Sequence, residues 1–381
     1  MTIKVAMIST FGPNIRGVSP YADDLASAIN SSATVRLSKV DFERPFPAFI
    51  LPSGTNYEAQ NEFAMLDYLS PRSWDLAKRI DFEIAHLQYW SPAYLPIFNV
   101  TLSALKRRNK KIVITWHNPS PHESIPLFGA LEKRMAEAAD LIICHSEAGV
   151  ELLKRKGFKS RIEVCHHGCD TKPRTSANNQ DYSRCQLEPD RKHLLFFGNI
   201  RPYKGLDVLL DAWQLAGDQL AEYDLVIAGR LWGEQQSGMA RLIHKLAGTS
   251  SHATLIKEKL IGQRNIVTDF NFIEEEKLNA YLRIADLAIF PYTSFESQSG
   301  AATRAAGCGI PIISTDVGGL TELLIDPDYA CESHSPAALA RCLVNACNTL
   351  RNDTGAKQIS RAGLFSWERA ASIHEQLYMG L

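Results

Sequence analysis

Short apolar runs rich in β-branched and aromatic residues alternate with longer segments of helical period from one end of the chain to the other. This alternation is the pattern of βαβ units laid on a parallel sheet. In the first part it predicts strands at Val5 to Ser9, Glu83 to Leu87, Ile112 to Trp116, Leu141 to Cys144 and Ile162 to Cys165. Between about Lys172 and Lys192 the apolar period lapses into Thr175-Ser176-Ala177-Asn178-Asn179-Gln180-Asp181, a polar stretch read as a linker. The alternation then restarts, with elements at Leu194 to Phe197, Leu206 to Trp213, Leu225 to Ala228, Asn265 to Thr268, Leu278 to Ile284, Leu287 to Phe290 and Pro311 to Ser314. Ser19-Pro20 and Ser335-Pro336 each set a capping hydroxyl before a proline suited to a first helical turn, so both read as N-caps.

The fold class predicted is α/β, with two doubly wound domains at 1–171 and 193–365 joined by a linker at 172–192. A chain of 381 residues exceeds what a single core organises, about 250 to 300 residues, which agrees with two domains. Ligands of open α/β sheets bind beyond the carboxyl ends of the strands, so two such domains facing each other would enclose a cleft. The residues that follow each strand therefore carry the chemistry.

Composition narrows the partners. Apolar residues make up 45% and charged residues 22%, ordinary globular usage, and a formal net charge of -1 supplies no global field for nucleic acid or an anionic membrane. Anion binding, if present, is local. No apolar run reaches the roughly 18 to 20 residues that span a bilayer, and the start lacks a signal-peptide cleavage region, so the expected location is cytoplasmic. Eight cysteines are too sparse for a disulfide scaffold and read as buried thiols. The basic run Lys106-Arg107-Arg108-Asn109-Lys110-Lys111 reads as a solvated helix end, with weak peripheral contact at the inner face of a membrane as the alternative.

Phe196-Phe197-Gly198-Asn199-Ile200-Arg201-Pro202-Tyr203-Lys204-Gly205 follows a strand and feeds a helix. Glycines that admit close backbone approach, a helix N-terminus and two cations suit a diphosphate. Near the start, Gly12 and Gly17 flank a turn, but Val18 stands where a Walker loop keeps its lysine. Cys165-His166-His167-Gly168-Cys169 does not read as a metal site, because side chains along a strand alternate faces. Asp326-Pro327-Asp328 reads as a turn rather than a metal-binding Asp-x-Asp. No metal and no cofactor is expected.

The segment Phe290-Pro291-Tyr292-Thr293-Ser294-Phe295-Glu296-Ser297-Gln298-Ser299-Gly300-Ala301, followed by Gly307-Cys308-Gly309-Ile310-Pro311, is more specific. With the Gly198 to Gly205 loop it resembles family 4 of the retaining glycosyltransferases, in the branch with a Ser-Gln-Ser-Gly donor loop. Trp116-His117-Asn118, His166-His167-Gly168 and Phe365-Ser366-Trp367-Glu368 fall in the family's order, so the resemblance covers nearly the whole chain. It implies the GT-B fold, two facing Rossmann-like domains, with an acceptor-binding N-terminal domain, a nucleotide-sugar-binding C-terminal domain, and a final helix at about 366–381 that packs back on the first.

The resemblance implies that His117 and Glu296 hold the donor sugar from opposite sides of the cleft, and that Arg201 and Lys204 neutralise the leaving diphosphate. Ser299, Gly300 and Ala301 would hold phosphate, with Gly17, Gly198, Gly229, Arg230, Phe272 and Ile273 around the nucleotide. Arg304 stands where the family keeps a second glutamate on the ribose, and three readings are open for it: donation to the nucleotide, on which the expectation narrowly settles, pairing with an acid, or a solvated surface position. The implied function is metal-independent, retaining transfer from a UDP- or GDP-sugar to a glycan, lipid-linked or small-molecule acceptor in cell-surface polysaccharide or glycoconjugate synthesis. A GT-B epimerase or phosphorylase, and a catalytically silent sugar-nucleotide sensor, are the rivals. A nicotinamide dehydrogenase is disfavoured, since no Gly-x-Gly-x-x-Gly with a later acidic residue occurs.

Overall fold

The computed structural model describes residues 2–12, 18–44, 64–76, 79–119, 126–231 and 250–381. They form two compact units. The first comprises Met1–Gly168, Glu296–Gln298 and Phe365–Leu381, and the second Cys169–Phe295 and Ser299–Leu364.

The first unit carries a parallel sheet in the order β3-β2-β1-β4-β5-β6-β7, from β1 (Ile3–Ile8), β2 (Val35–Arg44), β3 (Ala64–Asp67), β4 (Ile84–Tyr89), β5 (Lys111–Trp116), β6 (Leu141–Cys144) and β7 (Arg161–Val164). Helix α1 (Val18–Asn30) and the C-terminal helix Trp367–Met379 cover one face through Tyr21, Leu25, Ala370 and Tyr378. Helices α2 (Leu95–Lys106), α3 (Pro126–Ala138) and α4 (Glu147–Arg155) follow in sequence, and the other face buries Leu87, Phe98, Ile114 and Trp116. Apolar residues on both faces of the central strands are what a parallel sheet sandwiched by helices requires.

The second unit carries the parallel order β10-β9-β8-β11-β12-β13, from β8 (Lys192–Phe197), β9 (Tyr223–Ala228), β10 (Ile266–Asp269), β11 (Leu287–Phe290), β12 (Ile312–Thr315) and β13 (Ala330–Cys331). Helix α5 (Asn179–Cys185) precedes it, and α6 (Leu206–Ala216), α7 (Ser250–Leu260), α8 (Glu275–Ile284), α9 (Gly300–Gly307), α10 (Pro336–Thr349) and α11 (Thr354–Gly363) follow, leaving Trp367–Met379 as α12. No helix among the described residues is long and apolar enough to cross a membrane.

Three expectations are corrected here. The stretch 172–192 is not a bare linker: Asn178 and Asp181 close a capping box at the start of α5, and Asp181 accepts from the Arg283 guanidinium of α8. Its polar residues are cap and ion pair, which a search for apolar period passes over. Ser19 is not an N-cap, since α1 already begins at Val18 and the buried Ser19 hydroxyl bonds Thr10 Oγ1 at 2.8 Å. Ser335 does cap α10, accepting from the Ala338 N–H. Finally, Glu296–Gln298, placed by sequence in the second domain, groups with the first unit.

Candidate functional site

In the second unit β8 has β9 on one side and β11 on the other, so the chain reverses its direction of sheet growth there. Beyond the carboxyl ends of strands at such a switch point is where α/β sheets bind ligands. The loops leaving β8 and β11 meet at that place. Thr293 N–H donates to Tyr203 O at 2.8 Å, and Gly205, at φ +67°, lies so close to Pro291 that a Cβ would sit 1.9 Å from its carbonyl oxygen. Only glycine fits there. Gly229 after β9 is equally constrained, its Cβ position 2.0 Å from Gly198 O at φ +147°. Sequence reasoning placed Gly198 and Gly229 at a ligand; the structure shows them packed on each other.

Lys204 is buried in this junction, its Nζ 5.3 Å from the Tyr292 ring centroid. Burial holds its pKa below the ordinary lysine value, partly offset by Tyr203, while Arg201 beside it depresses it further. No carboxylate among the described residues forms an ion pair with Lys204. The Tyr292 hydroxyl bonds Ser299 Oγ at 2.9 Å, and Ser299 caps α9 by accepting from Ala302 N–H, so Gly300 and Ala301 open that helix. Lys204 and the positive end of α9 are thus joined through one tyrosine, an arrangement that sets a buried cation and a helix N-terminus, both suited to an anion, side by side. Arg230 and Ile273 are half-buried, and Phe272 is exposed.

Arg304 of α9 is held by Glu275 of α8 and donates to Asn279 Oδ1 at 2.8 Å. Of the three readings open to it in the sequence, the structure displays the acid pairing, because α8 presents a carboxylate one helix away. Asp326 Oδ1 accepts from Asp328 N–H, the turn expected of that pair.

The first unit holds a row of polar side chains, buried except for the half-buried His117, that sequence reasoning missed except for His117. Ile84, Val113, Leu141 and Ile143 are apolar at the amino ends of β4, β5 and β6 on the face under α1 and α12. Further along at the same period of two come His86 and Gln88 on β4, Thr115 on β5 with His117 just beyond it, and His145 just beyond β6. The signal was present as period-two polar positions at strand ends. His117 Nε2 lies 2.8 Å from Gln88 Oε1 and its Nδ1 3.1 Å from His145 Nε2, while the ring meets Tyr21 edge-on at 4.8 Å. Burial first, then the neighbouring histidines, hold His117 well below the ordinary imidazole range, and His145 is pushed down to about 3.

Glu296 is tied to this unit from its backbone: its carbonyl accepts from Ser146 Oγ at 2.6 Å, while Gln298 Oε1 accepts from His167 N–H at 2.7 Å. Burial raises the Glu296 carboxyl above the ordinary value, against the opposing pull of Lys156 and Arg155. His117 and Glu296, expected on opposite sides of a cleft, therefore belong to one unit. Gly17 lies outside the described residues. No cluster of three or more His, Cys, Asp or Glu among the described residues is arranged to hold a metal.

Residues 15–173 match the model for Glycosyltransferase Family 4, and residues 191–349 that for Glycosyl transferases group 1. The D-inositol 3-phosphate glycosyltransferase of Paenarthrobacter aurescens (strain TC1) is 27% identical over 256 residues, 65% of this chain, and the match spans only 59% of that relative's length. Its counterpart from Streptomyces scabiei (strain 87.22) is 24% identical over 78% of this chain and 68% of its own. Among solved structures, sucrose-phosphate synthase from Thermosynechococcus elongatus superposes with a TM-score of 0.73 at 19% identity, over 99% of this chain and 98% of that one. Anabaena Alr3699/HepE, in complex with UDP and glucose, gives 0.68 at 16% over 100% of both. The shared architecture is the GT-B fold.

Proposed function

Since the chain belongs to the GT-B glycosyltransferases, with a Glycosyltransferase Family 4 domain followed by a Glycosyl transferases group 1 domain, we propose that it moves a sugar from a UDP- or GDP-type donor to an acceptor with retention at the anomeric carbon. The observation that carries this reading is Lys204, a buried cation with no ion pair among the described residues, linked through Tyr292 to the cap of α9. A buried charge is costly without a partner, and a diphosphate supplies one.

As the bond from sugar to diphosphate breaks, negative charge grows on the leaving group. Lys204, Arg201 and the amides of Gly300 and Ala301 are the groups assigned to meet it, already oriented, so that the barrier falls without reorganisation. The departing phosphate takes the acceptor proton on the same face. Glu296 and His117 are assigned to the donor sugar, and the donor loop Ser297-Gln298-Ser299-Gly300 is assigned to the branch of the family that carries it. The cations do the work that a divalent metal does elsewhere, so turnover needs none. The names of the curated relatives favour a small phosphorylated polyol among the acceptor classes. The reaction is assigned to the cytoplasm.

Nucleotide sugars screened by thermal shift, followed by transfer assays with labelled donor, test this reading. One UDP- or GDP-sugar should stabilise the protein, by about 2.7 kcal/mol at 100 times Kd. Transfer should continue in EDTA and give the α product from an α donor. Stabilisation by no nucleotide sugar, or product only with free phosphate or without acceptor, would replace it by the sensor, phosphorylase or epimerase reading.

A further inference from the structure

The polar row under α1 and α12 is a continuous hydrogen-bonded chain. Tyr378 OH lies 2.7 Å from His86 Nδ1, and His86 Nε2 is 2.7 Å from Thr115 Oγ1 and 3.1 Å from the Gln88 amide. The same amide meets His117 Nε2 at 2.8 Å, His117 Nδ1 meets His145 Nε2 at 3.1 Å, and His145 Nδ1 ends the chain on Cys165 O at 2.9 Å. His86, Gln88, Thr115, His145 and Tyr378 are all buried.

One end of this chain has a fixed direction. A carbonyl oxygen only accepts, so His145 carries its proton on Nδ1 and, when neutral, accepts at Nε2. His117 must then donate from Nδ1. What remains is His117 Nε2 against the Gln88 amide, whose two ends are told apart only by their hydrogen bonds. Two complete solutions exist. In one, His117 is neutral, the Gln88 nitrogen donates to its Nε2, the Gln88 oxygen accepts from His86 Nε2–H, and Tyr378 donates to His86 Nδ1. In the other, His117 has taken one proton on Nε2 and donates to the Gln88 oxygen, the Gln88 nitrogen donates to His86 Nε2, and His86 Nδ1–H donates to Tyr378.

We propose that His117 is a two-state proton holder and that Gln88 and His86 are its positioning residues, a half-turn of the Gln88 amide and a change of His86 tautomer accompanying each proton gained or lost. Resting on the glycosyl-transfer reading, this assigns His117 a charge that appears when an anionic substrate group faces it. Both ring nitrogens are engaged in either state, so His117 acts through that charge and through its fixed ring orientation, not through a free nitrogen. Among the described residues the groups facing it are Gln88 from β4, His145 after β6, His167 after β7 and Tyr21 from α1, with His86, Cys165, His374 and Tyr378 behind them. His145, His167 and His86 oppose a further positive charge, and burial opposes it more, so the neutral arrangement is the resting one.

Histidine-selective ¹⁵N NMR on the full chain tests the assignment. At neutral pH the wild-type protein should show His117 and His145 protonated on Nδ1 and His86 on Nε2. His117 found with Nε2–H and bare Nδ1 overturns the proposal without any variant. Gln88→Glu puts two acceptors between the rings, so His117 should hold its second proton to a pH at least about one unit higher than in the wild type. The acid or alkaline limb of kcat that follows His117 should move by the same amount, while KM for the donor stays within about threefold. A folded Gln88→Glu protein with an unshifted His117 titration also overturns it. Failure of transfer from every nucleotide sugar strikes the functional reading instead, because the tautomers are read without substrate.

Discussion

The Lys204 ammonium stands 5.3 Å from the centre of the Tyr292 ring, whose hydroxyl in turn holds Ser299, the cap of α9, at 2.9 Å. Cation, ring and helix start form one block at the carboxyl ends of β8 and β11. Replacing Lys204 by Met should lower kcat by about 10² to 10³-fold, the usual cost of losing one preorganised charge stabiliser. Stability should not fall. Because the folded pKa lies below the ordinary value of 10.5, the folded state binds this proton less readily than the unfolded one, and the lysine's contribution improves as pH rises through the folded pKa toward 10.5. At neutral pH, Lys204→Met should therefore leave Tm unchanged or raise it. A lower Tm with unchanged kcat would contradict the role.

Glu296 offers a separable test. Glu296→Gln should reduce kcat at least about tenfold while the Kd of the bare nucleoside diphosphate, measured by calorimetry, barely changes. Burial raises the carboxyl above its ordinary value of 4.5, so activity that needs the ionised form is lost, as pH falls, at a higher pH than for an exposed glutamate. That acid limb should vanish in the variant.

For Arg304 the expectation follows its partners. Its side chain is 34% exposed and that of Glu275 68%, so the pair is screened and contributes under about 1 kcal/mol. Arg304→Ala should cost no more than that in urea unfolding. With the guanidinium held by Glu275 and Asn279, the nucleoside diphosphate Kd should shift by less than about twofold. A loss of tenfold or more would return Arg304 to the nucleotide.

Tyr21 lies at the centre of the histidine row, yet its buried hydroxyl has no hydrogen-bond partner among the described residues. Leaving such a group unsatisfied costs about 1 to 3 kcal/mol, so Tyr21→Phe, which keeps the ring, should be neutral or stabilising in urea unfolding. A loss of about 2 kcal/mol or more would reveal a partner for the hydroxyl.

Local pattern carried much of this protein. Period-two and period-3.6 apolar spacing located β1 and β4 to β12 to within a few residues, and the glycine, proline and cation order after β8 marked the junction where Lys204 sits. It passed over β2, whose run Val35-Arg36-Leu37-Ser38-Lys39-Val40 alternates with charge, the four-residue β3 and the two-residue β13. The sequence by itself determined the elements, because side-chain period depends on neighbours a few positions away. Tertiary structure alone decided the rest: that Ser146 draws Glu296 into the first unit, that Glu275 engages Arg304, and that His86, Gln88, His117 and His145 line up across three strands. Those partners lie from 28 to 150 positions apart except within one strand, and strand register for the histidine row, with helix and loop packing for the other two pairs, brings them within hydrogen-bonding reach.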